Sequence, residues 1–423
     1  MTEKIAILRK YNFWDGIFPG LGLVRRTYLD KIQGYIGNNL IKVLVGQRRV
    51  GKSFILRQTI QRIVETGVPP ANIFYLNKEY TDFDFISDYK DLDALIKEYI
   101  QWLQPIGKVY LFIDEVQDIN GWERLVNSYS QSHADDYEVF ISGSNAHMLS
   151  GELATILSGR YVEFIIFPFS YNEFIASHNL TAGKESFQKY LQTGGLPELL
   201  HLPNDEIRRN YMSSIRDAIL LRDVVQRFSV KDARLLEDIF AFLVNNASNL
   251  VSVNNIINYF SSKKRKTNYE TISNYIAYMA GAFIIHQAER YSIKGKDIIA
   301  GNCKYYINDL SFKNYLYPGF SYGYGYLLEN LVYLQLKSTG FNVYVGYMRD
   351  REIDFVALKG NRTIYLQVAY LLNEPMTIER EYSQLEAIDD NFEKYVVSFN
   401  DMALPNRGGI RHLLAWQLEE HFQ

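Results

Sequence analysis

The sequence predicts an α/β fold built on a parallel sheet, and three strand ends predict it. Residues 41–45 are an apolar run, Ile-Lys-Val-Leu-Val, followed by Gly46-Gln47-Arg48-Arg49-Val50-Gly51-Lys52-Ser53 and then by the helix-periodic stretch 54–60. A second run, Val109 to Ile113, stops at the adjacent acids Asp114 and Glu115; a third, Val139 to Ser142, stops at Gly143, Ser144 and Asn145. Buried parallel strands read as such continuous runs, and ligands of open α/β sheets sit beyond their carboxyl ends.

The first strand end fits the phosphate-binding pattern G-x-x-x-x-G-K-[ST], in a strand-before, helix-after context. Gly46 and Gly51 let the backbone turn its N–H groups toward phosphate oxygens. Lys52 brings a point charge to the β- and γ-phosphates, Ser53 offers a hydroxyl to Mg²⁺, and the next helix presents its positive N-terminus. Gln47, Arg48, Arg49, Val50 and Phe54 complete the candidate nucleotide-binding set; the two arginines reach phosphate, a neighbouring subunit or only solvent. Asp114 falls where a second Mg²⁺ contact is needed, and Glu115 can polarise an attacking water. Ser144 or Asn145 would sense the γ-phosphate; the sequence does not choose, and Asn145 could instead cap a helix. Arg160, ahead of the short strand Val-Glu-Phe-Ile-Ile-Phe, is a candidate arginine finger from this or a neighbouring subunit, or else a salt-bridge partner at the sheet edge. Residues 1–40 hold Arg25-Arg26 and a helix-like segment that covers the base or simply packs.

Taken together, GQRRVGKS, LFIDEVQ, SGSNAHML, LSGRYVEF, PFSYNEF and GGLPELL resemble the bacterial and archaeal AAA-type P-loop ATPases that end in a conserved domain of unknown function. The resemblance spans nearly the whole chain. It implies ATP binding and hydrolysis with Mg²⁺, on an ATPase core followed by a helical lid, a winged helix and a restriction-endonuclease-like fold. The expected boundaries are 1–168, 169–229, 230–315 and 320–423.

Size and composition agree. The 423 residues suit two to four domains, and an apolar fraction of 47% fills real cores. A net charge of −3 argues against a globally basic nucleic-acid binder. The single cysteine, Cys303, excludes an internal disulfide or a cysteine zinc cluster, and a reducing cytoplasm is expected. No apolar run is long enough to span a bilayer.

Residues 171–228 are helical by pattern, broken at 193–200 by Gly194-Gly195, with Pro197 opening a new helix. Residues 230–310 give three helices and two strands around a Lys-Gly-Lys turn. Between the second and third helices lie Lys263, Lys264, Arg265 and Lys266, candidates for DNA phosphates, a protein partner or solvent. From residue 322 the pattern runs helix, strand, strand, helix, with Glu329 facing inward, Asp354 on one strand and Gln367 on the next. The endonuclease-like resemblance implies a lysine at position 369, where this chain has Ala369; Glu329 with Asp354 could still hold a hard cation. The main expectation is an ATP-driven molecular switch acting through nucleic-acid- or protein-binding modules, with oligomerisation allowed. The rivals are an ATP-stabilised scaffold and an ATP-gated nuclease.

Overall fold

The computed structural model describes residues 2–132, 136–146, 157, 159–318, 323–348 and 351–422. The chain divides into two compact units, 1–166 and 167–423.

In the first unit β1 (Ile41–Val45), β2 (Ile73–Asn77), β3 (Val109–Asp114), β4 (Tyr137–Gly143) and β5 (Tyr161–Ile165) pair in parallel throughout. Their order is β2-β3-β4-β1-β5. All residues of β1, β2 and β3 are buried, which is why they read as apolar runs rather than as an alternation. The described helices are α1 (Glu3–Tyr11), α2 (Arg26–Gln33), α3 (Lys52–Glu65), α4 (Tyr89–Leu103) and α5 (Trp122–Ser130). A reciprocal Asp88–Asp91 capping box starts α4, and Phe112 and Phe140 stack at 4.4 Å in the core. Polar charge does enter the sheet's lower end: Lys42 and Glu138, both fully buried, pair at 2.5 Å. Because β4 lies between β3 and β1, the residues after β4 fall between the acids after β3 and the loop after β1.

The second unit begins with α6 (Tyr171–His178), α7 (Lys184–Thr193) and α8 (Asp205–Asp217), which continues into a π-helical stretch, Ala218–Gln226. The break at 193–200 is a close approach as well as a stop. A Cβ on Gly194 would lie 2.2 Å from Asp309 Oδ1, and one on Gly195 would lie 2.4 Å from the Phe169 carbonyl. Pro197 opens a 3₁₀ turn, Pro197–His201.

Next come α9 (Ala233–Asn245), β6 (Leu250–Val251), α10 (Val253–Ser262), α11 (Tyr269–Gly281) and the antiparallel pair β7 (Ile285–Ser292) and β8 (Asp297–Ile307). Ser252 and Asn255 form a capping box on α10. Then follow α12 (Tyr324–Ser338), β9 (Asn342–Met348), β10 (Arg351–Lys359), β11 (Arg362–Ala369), α13 (Pro375–Glu386), β12 (Glu393–Ser398), β13 (Ile410–Leu414) and α14 (Leu418–Phe422).

Here the structure differs from the expected boundaries. One eight-stranded sheet, β13-β12-β11-β10-β9-β7-β8-β6, runs through both 230–315 and 320–423. The seam is the parallel pairing of Arg290–Ser292 with Val345–Tyr347, and Ile293 is buried with Ile353, Val356 and Tyr365. Pairing between strands distant in sequence leaves no local signature, so the expected boundary divides what the backbone joins. Among the described residues, no helix is long and apolar enough to cross a membrane.

Candidate functional site

The loop after β1 is shaped by its glycines. Gly46 has φ +152°, and a Cβ there would meet the Ile166 carbonyl at 2.3 Å; Gly51, at φ +99°, opens α3. The Lys52 ammonium folds back over the loop and donates to the Gly46 and Gln47 carbonyls at 3.0 and 3.2 Å. It lies 3.7 Å from Glu115 Oε1. Gln47, Arg48 and Val50 are buried, whereas Arg49 (φ +69°) is exposed. Arg48 is ion-paired with Glu79 just beyond β2. Arg25 is buried and donates to the Val50 carbonyl at 3.0 Å, so the segment ahead of α2 is tied to the loop. Phe54 is 43% exposed, with the Arg57 guanidinium 4.5 Å from its ring centroid.

Asp114 is fully buried at the carboxyl end of β3. Its Oδ2 accepts from Asn77 Nδ2 at 3.0 Å and from the Tyr75 hydroxyl at 3.2 Å, while the Ser142 and Ser53 hydroxyls bond to the same carboxyl group. Burial, then the neighbouring Glu115, pushes Asp114 up to about 6; the two serines and Lys52 pull the other way. Glu115 adopts the left-handed conformation at φ 55°, uncommon for a residue with a side chain. Its N–H donates to Ser142 Oγ at 3.0 Å, and its Oε2 accepts from Gln117 at 2.6 Å. Ser142 thus holds both acids from the intervening strand. Ser144 and Asn145 are fully buried just past the Val45–Gly143 pairing, beside the start of the loop. The donor set suits a hard cation next to phosphate: a hydroxyl and a carboxyl already in contact, with an ammonium alongside.

Arg160 does not join them. It precedes β5, its carbonyl accepts from the Ile41 N–H, and it is exposed at the amino-terminal edge of the sheet. Residues after strands and residues before them lie at opposite edges of a parallel sheet, separated here by the length of β1 at about 3.3 Å per residue. A finger directed at this chain's own loop is therefore excluded. The residues 147–149 that carry part of the family resemblance lie outside the described set.

Ser142, Asn77 and Tyr75 were missed by sequence reasoning. Asn77 had a readable signal, as the last residue of a strand paired in register with Asp114.

Two expectations for the second unit also change. Arg265 is half-buried and already paired: its guanidinium meets Asp232 at 3.0 Å and Asp238. Lys263, Lys264 and Lys266 remain exposed. The lysine absent at Ala369 has a counterpart from another strand: Lys304 on β8 lies 2.9 Å from Glu329 and 3.7 Å from Asp354. Burial, reinforced by Glu329, pushes Asp354 up to about 8. A Ser398–His412 contact at 2.7 Å is not a nucleophilic pair. The Leu404 N–H donates to His412 Nδ1, leaving the proton on Nε2, so in the neutral ring the histidine donates to the serine and cannot serve as its base.

Residues 38–175 match the family described as an AAA domain, and residues 184–321 match a domain of unknown function (DUF8612). The chain is 35% identical over 378 residues to an uncharacterized protein of Haemophilus influenzae, covering 88% of this chain and 92% of the relative. It is 31% identical over 391 residues to an uncharacterized protein of Methanocaldococcus jannaschii, covering 86% and 83%. Among solved structures, the Walker-type ATPase of Pyrococcus abyssi overlaps at a TM-score of 0.40 with 13% identity, covering 71% of this chain and 98% of that one. The ORC1 protein of Aeropyrum pernix, solved in complex with DNA, overlaps at 0.34 with 12% identity, covering 73% and 97%. Overlaps this low say nothing about what this chain binds.

Proposed function

The chain belongs to one family with the Haemophilus and Methanocaldococcus proteins and carries an AAA domain, and on that footing we propose that it is an ATP-hydrolysing switch. The observation that carries this is the convergence of Lys52, Ser53, Asp114 and Glu115 on one sheet edge, with the lysine 3.7 Å from Glu115. Gly46, Gly51 and the loop N–H groups cradle phosphate, and Lys52 leaves its backbone carbonyls for phosphate oxygens. Ser53 and Asp114 would hold Mg²⁺, which would supply positive charge for phosphoryl transfer. Glu115 orients the attacking water and takes its proton. Ser144 or Asn145 reads the γ-phosphate, and Arg160 acts only toward a neighbouring subunit.

We read residues 233–307 as a winged helix and 324–414 as a restriction-endonuclease-like fold that binds rather than cleaves. The helix and strand order of the first, and the Glu329, Asp354 and Gln367 positions of the second, support this. Nucleotide state is the input, and a nucleic-acid or protein partner of these modules is the output.

Steady-state phosphate release tests the proposal. Wild type should turn over; Glu115→Gln should bind ATP and stall; Lys52→Ala should lose nucleotide affinity by at least about 100-fold, or about 2.8 kcal/mol. Turnover in wild type no faster than in Glu115→Gln would leave ATP a structural ligand of a scaffold. Equal nucleotide binding by Lys52→Ala would remove the site altogether. Repeating the assay with duplex and single-stranded DNA across salt identifies the output: stimulation that fades with salt marks phosphate contacts.

A further inference from the structure

In the second unit, three acids from two elements converge on one buried ammonium carried by a third. On β8, Lys304 and Tyr306 are two residues apart and share a face; on β10, Glu352 and Asp354 do the same. Glu329 projects from α12. Lys304 Nζ lies 2.8 Å from Glu352 Oε1, 2.9 Å from Glu329 Oε1 and 3.7 Å from Asp354 Oδ1, and its side chain is only 4% exposed. The Tyr306 hydroxyl donates to the same Glu329 oxygen at 2.8 Å. Around this centre, Asp354 Oδ2 accepts from the Val368 N–H at 2.8 Å, and Gln367 bridges the Asp354 N–H to Glu381.

We propose that Lys304 is the resident cation of this cluster: its ammonium fills the place in which these carboxylates would otherwise share a divalent metal, so the native chain takes no metal there and gains a divalent-cation site only when that charge is removed. Two observations and one physical argument lead to this. An ammonium has three donors; Glu352 and Glu329 take two of them, and Asp354 faces the third side at ion-pair distance. A metal entering between Glu329 and Asp354 would have to share a buried pocket with the lysine charge, and like charges at such range in low dielectric repel strongly. The ammonium itself stands between Glu329 and Asp354. As the cluster stands, with the ammonium in it, no three His, Cys, Asp or Glu side chains among the described residues are spaced to hold a metal. The consequence is functional: Lys304 braces the β7–β8 pair against α12 and β10, and the sheet serves binding rather than cleavage.

The probe is Mn²⁺ alone, added to the nucleotide-free full-length chain and followed by electron paramagnetic resonance and by thermal melting. In wild type, any Mn²⁺ bound should be the same in Glu329→Gln, because the metal does not use that carboxylate. Lys304→Met should melt roughly 6–12 °C lower, bind one further Mn²⁺, and recover part of the lost stability at millimolar Mn²⁺. Adding Glu329→Gln to Lys304→Met should abolish both the gain and the recovery. Mn²⁺ held by wild type and released in Glu329→Gln would overturn the proposal, because lysine and metal would then coexist as a working centre. So would a folded Lys304→Met with no gained Mn²⁺. If Lys304→Met does not fold, the wild-type and Glu329→Gln pair still decides the question.

Discussion

Two lysines in this chain, Lys52 and Lys304, are each 4% exposed and each face acids, yet they are built for opposite ends. Lys52 rests on two neutral backbone carbonyls, with its nearest acid at 3.7 Å. Exchanging neutral oxygens for a triphosphate gains charge–charge attraction, so the ammonium remains available to a ligand. Lys304 already sits among carboxyl groups at 2.8, 2.9 and 3.7 Å, and a ligand could offer it nothing better. Their backbones differ in the same sense. Lys52 opens a helix after the left-handed Gly51, whereas Lys304 lies inside an eleven-residue strand. Burial and acidity alone do not mark a binding lysine; the charge of its present partners does.

The largest effect should come from deleting each lysine in turn. Lys304→Ala strands buried carboxylates and should cost about 3–5 kcal/mol in denaturant unfolding, with nucleotide affinity unchanged. Lys52→Ala should leave stability within about 1 kcal/mol and remove nucleotide binding. If both variants lose mainly stability, the two lysines are alike and the contrast fails.

The glutamates give a smaller version of the same split. Glu329→Gln removes the charged partner of Lys304 and Tyr306 and should cost about 1–3 kcal/mol while sparing turnover. Glu115→Gln should spare stability and ATP affinity while turnover falls. A Glu329→Gln protein with normal stability and impaired turnover would instead make the second cluster part of the reaction.

A pH series sharpens the comparison further. The Asp354 carboxyl is raised from 3.8 to about 8, so the folded chain keeps a proton that the unfolded chain releases. That contribution is complete below about pH 4 and is lost as pH rises through 8, at up to about 1.4 kcal/mol per pH unit. Asp114 and Asp309, raised only to about 6, have finished titrating by pH 7, and comparison with Asp354→Asn cancels what other groups contribute between pH 7 and 9. Asp354→Asn cannot ionise, so its stability should gain on wild type across that window. Parallel unfolding curves from pH 7 to 9 would show that Asp354 is already charged at neutrality.

The first of these sites was legible in the sequence and the second was not, for physical reasons. A phosphate loop is one continuous segment whose glycines, lysine and serine are fixed by backbone geometry, and the acids and small polar residues end strands buried on both faces. Ser142 escaped notice because a polar residue ending an apolar run reads as the strand's limit rather than as the hinge between Asp114 and Glu115. For Arg160 the sequence leaves this or a neighbouring subunit open, and the sheet narrows it, since a residue that precedes a strand does not share an edge with residues that follow one. Lys304 was unreadable. It lies 25 residues before Glu329 and 50 before Asp354, across an expected domain boundary that the continuous sheet erases.

The smallest effect concerns cations that are neither poised nor locked. Lys264 and Lys266 face water between α10 and α11, and Lys263 lies against the Tyr259 ring at 4.3 Å. Their neighbour Arg265 belongs with Lys304 in kind, because its guanidinium is held by Asp232 and Asp238. Replacing Lys264 and Lys266 together by serine should change unfolding free energy by no more than about 0.5 kcal/mol. If DNA is the partner, the double variant should bind it more weakly on every sequence and flatten the dependence of log affinity on log salt by about 2, one for each phosphate no longer neutralised. Arg265→Ala should do the reverse, lowering stability by about 1 kcal/mol, near the upper end for a partly exposed pair, with the salt dependence unchanged. A flatter salt dependence in Arg265→Ala would mean that the arginine leaves its aspartates for phosphate, and partner charge would no longer predict which cations in this chain are free to bind.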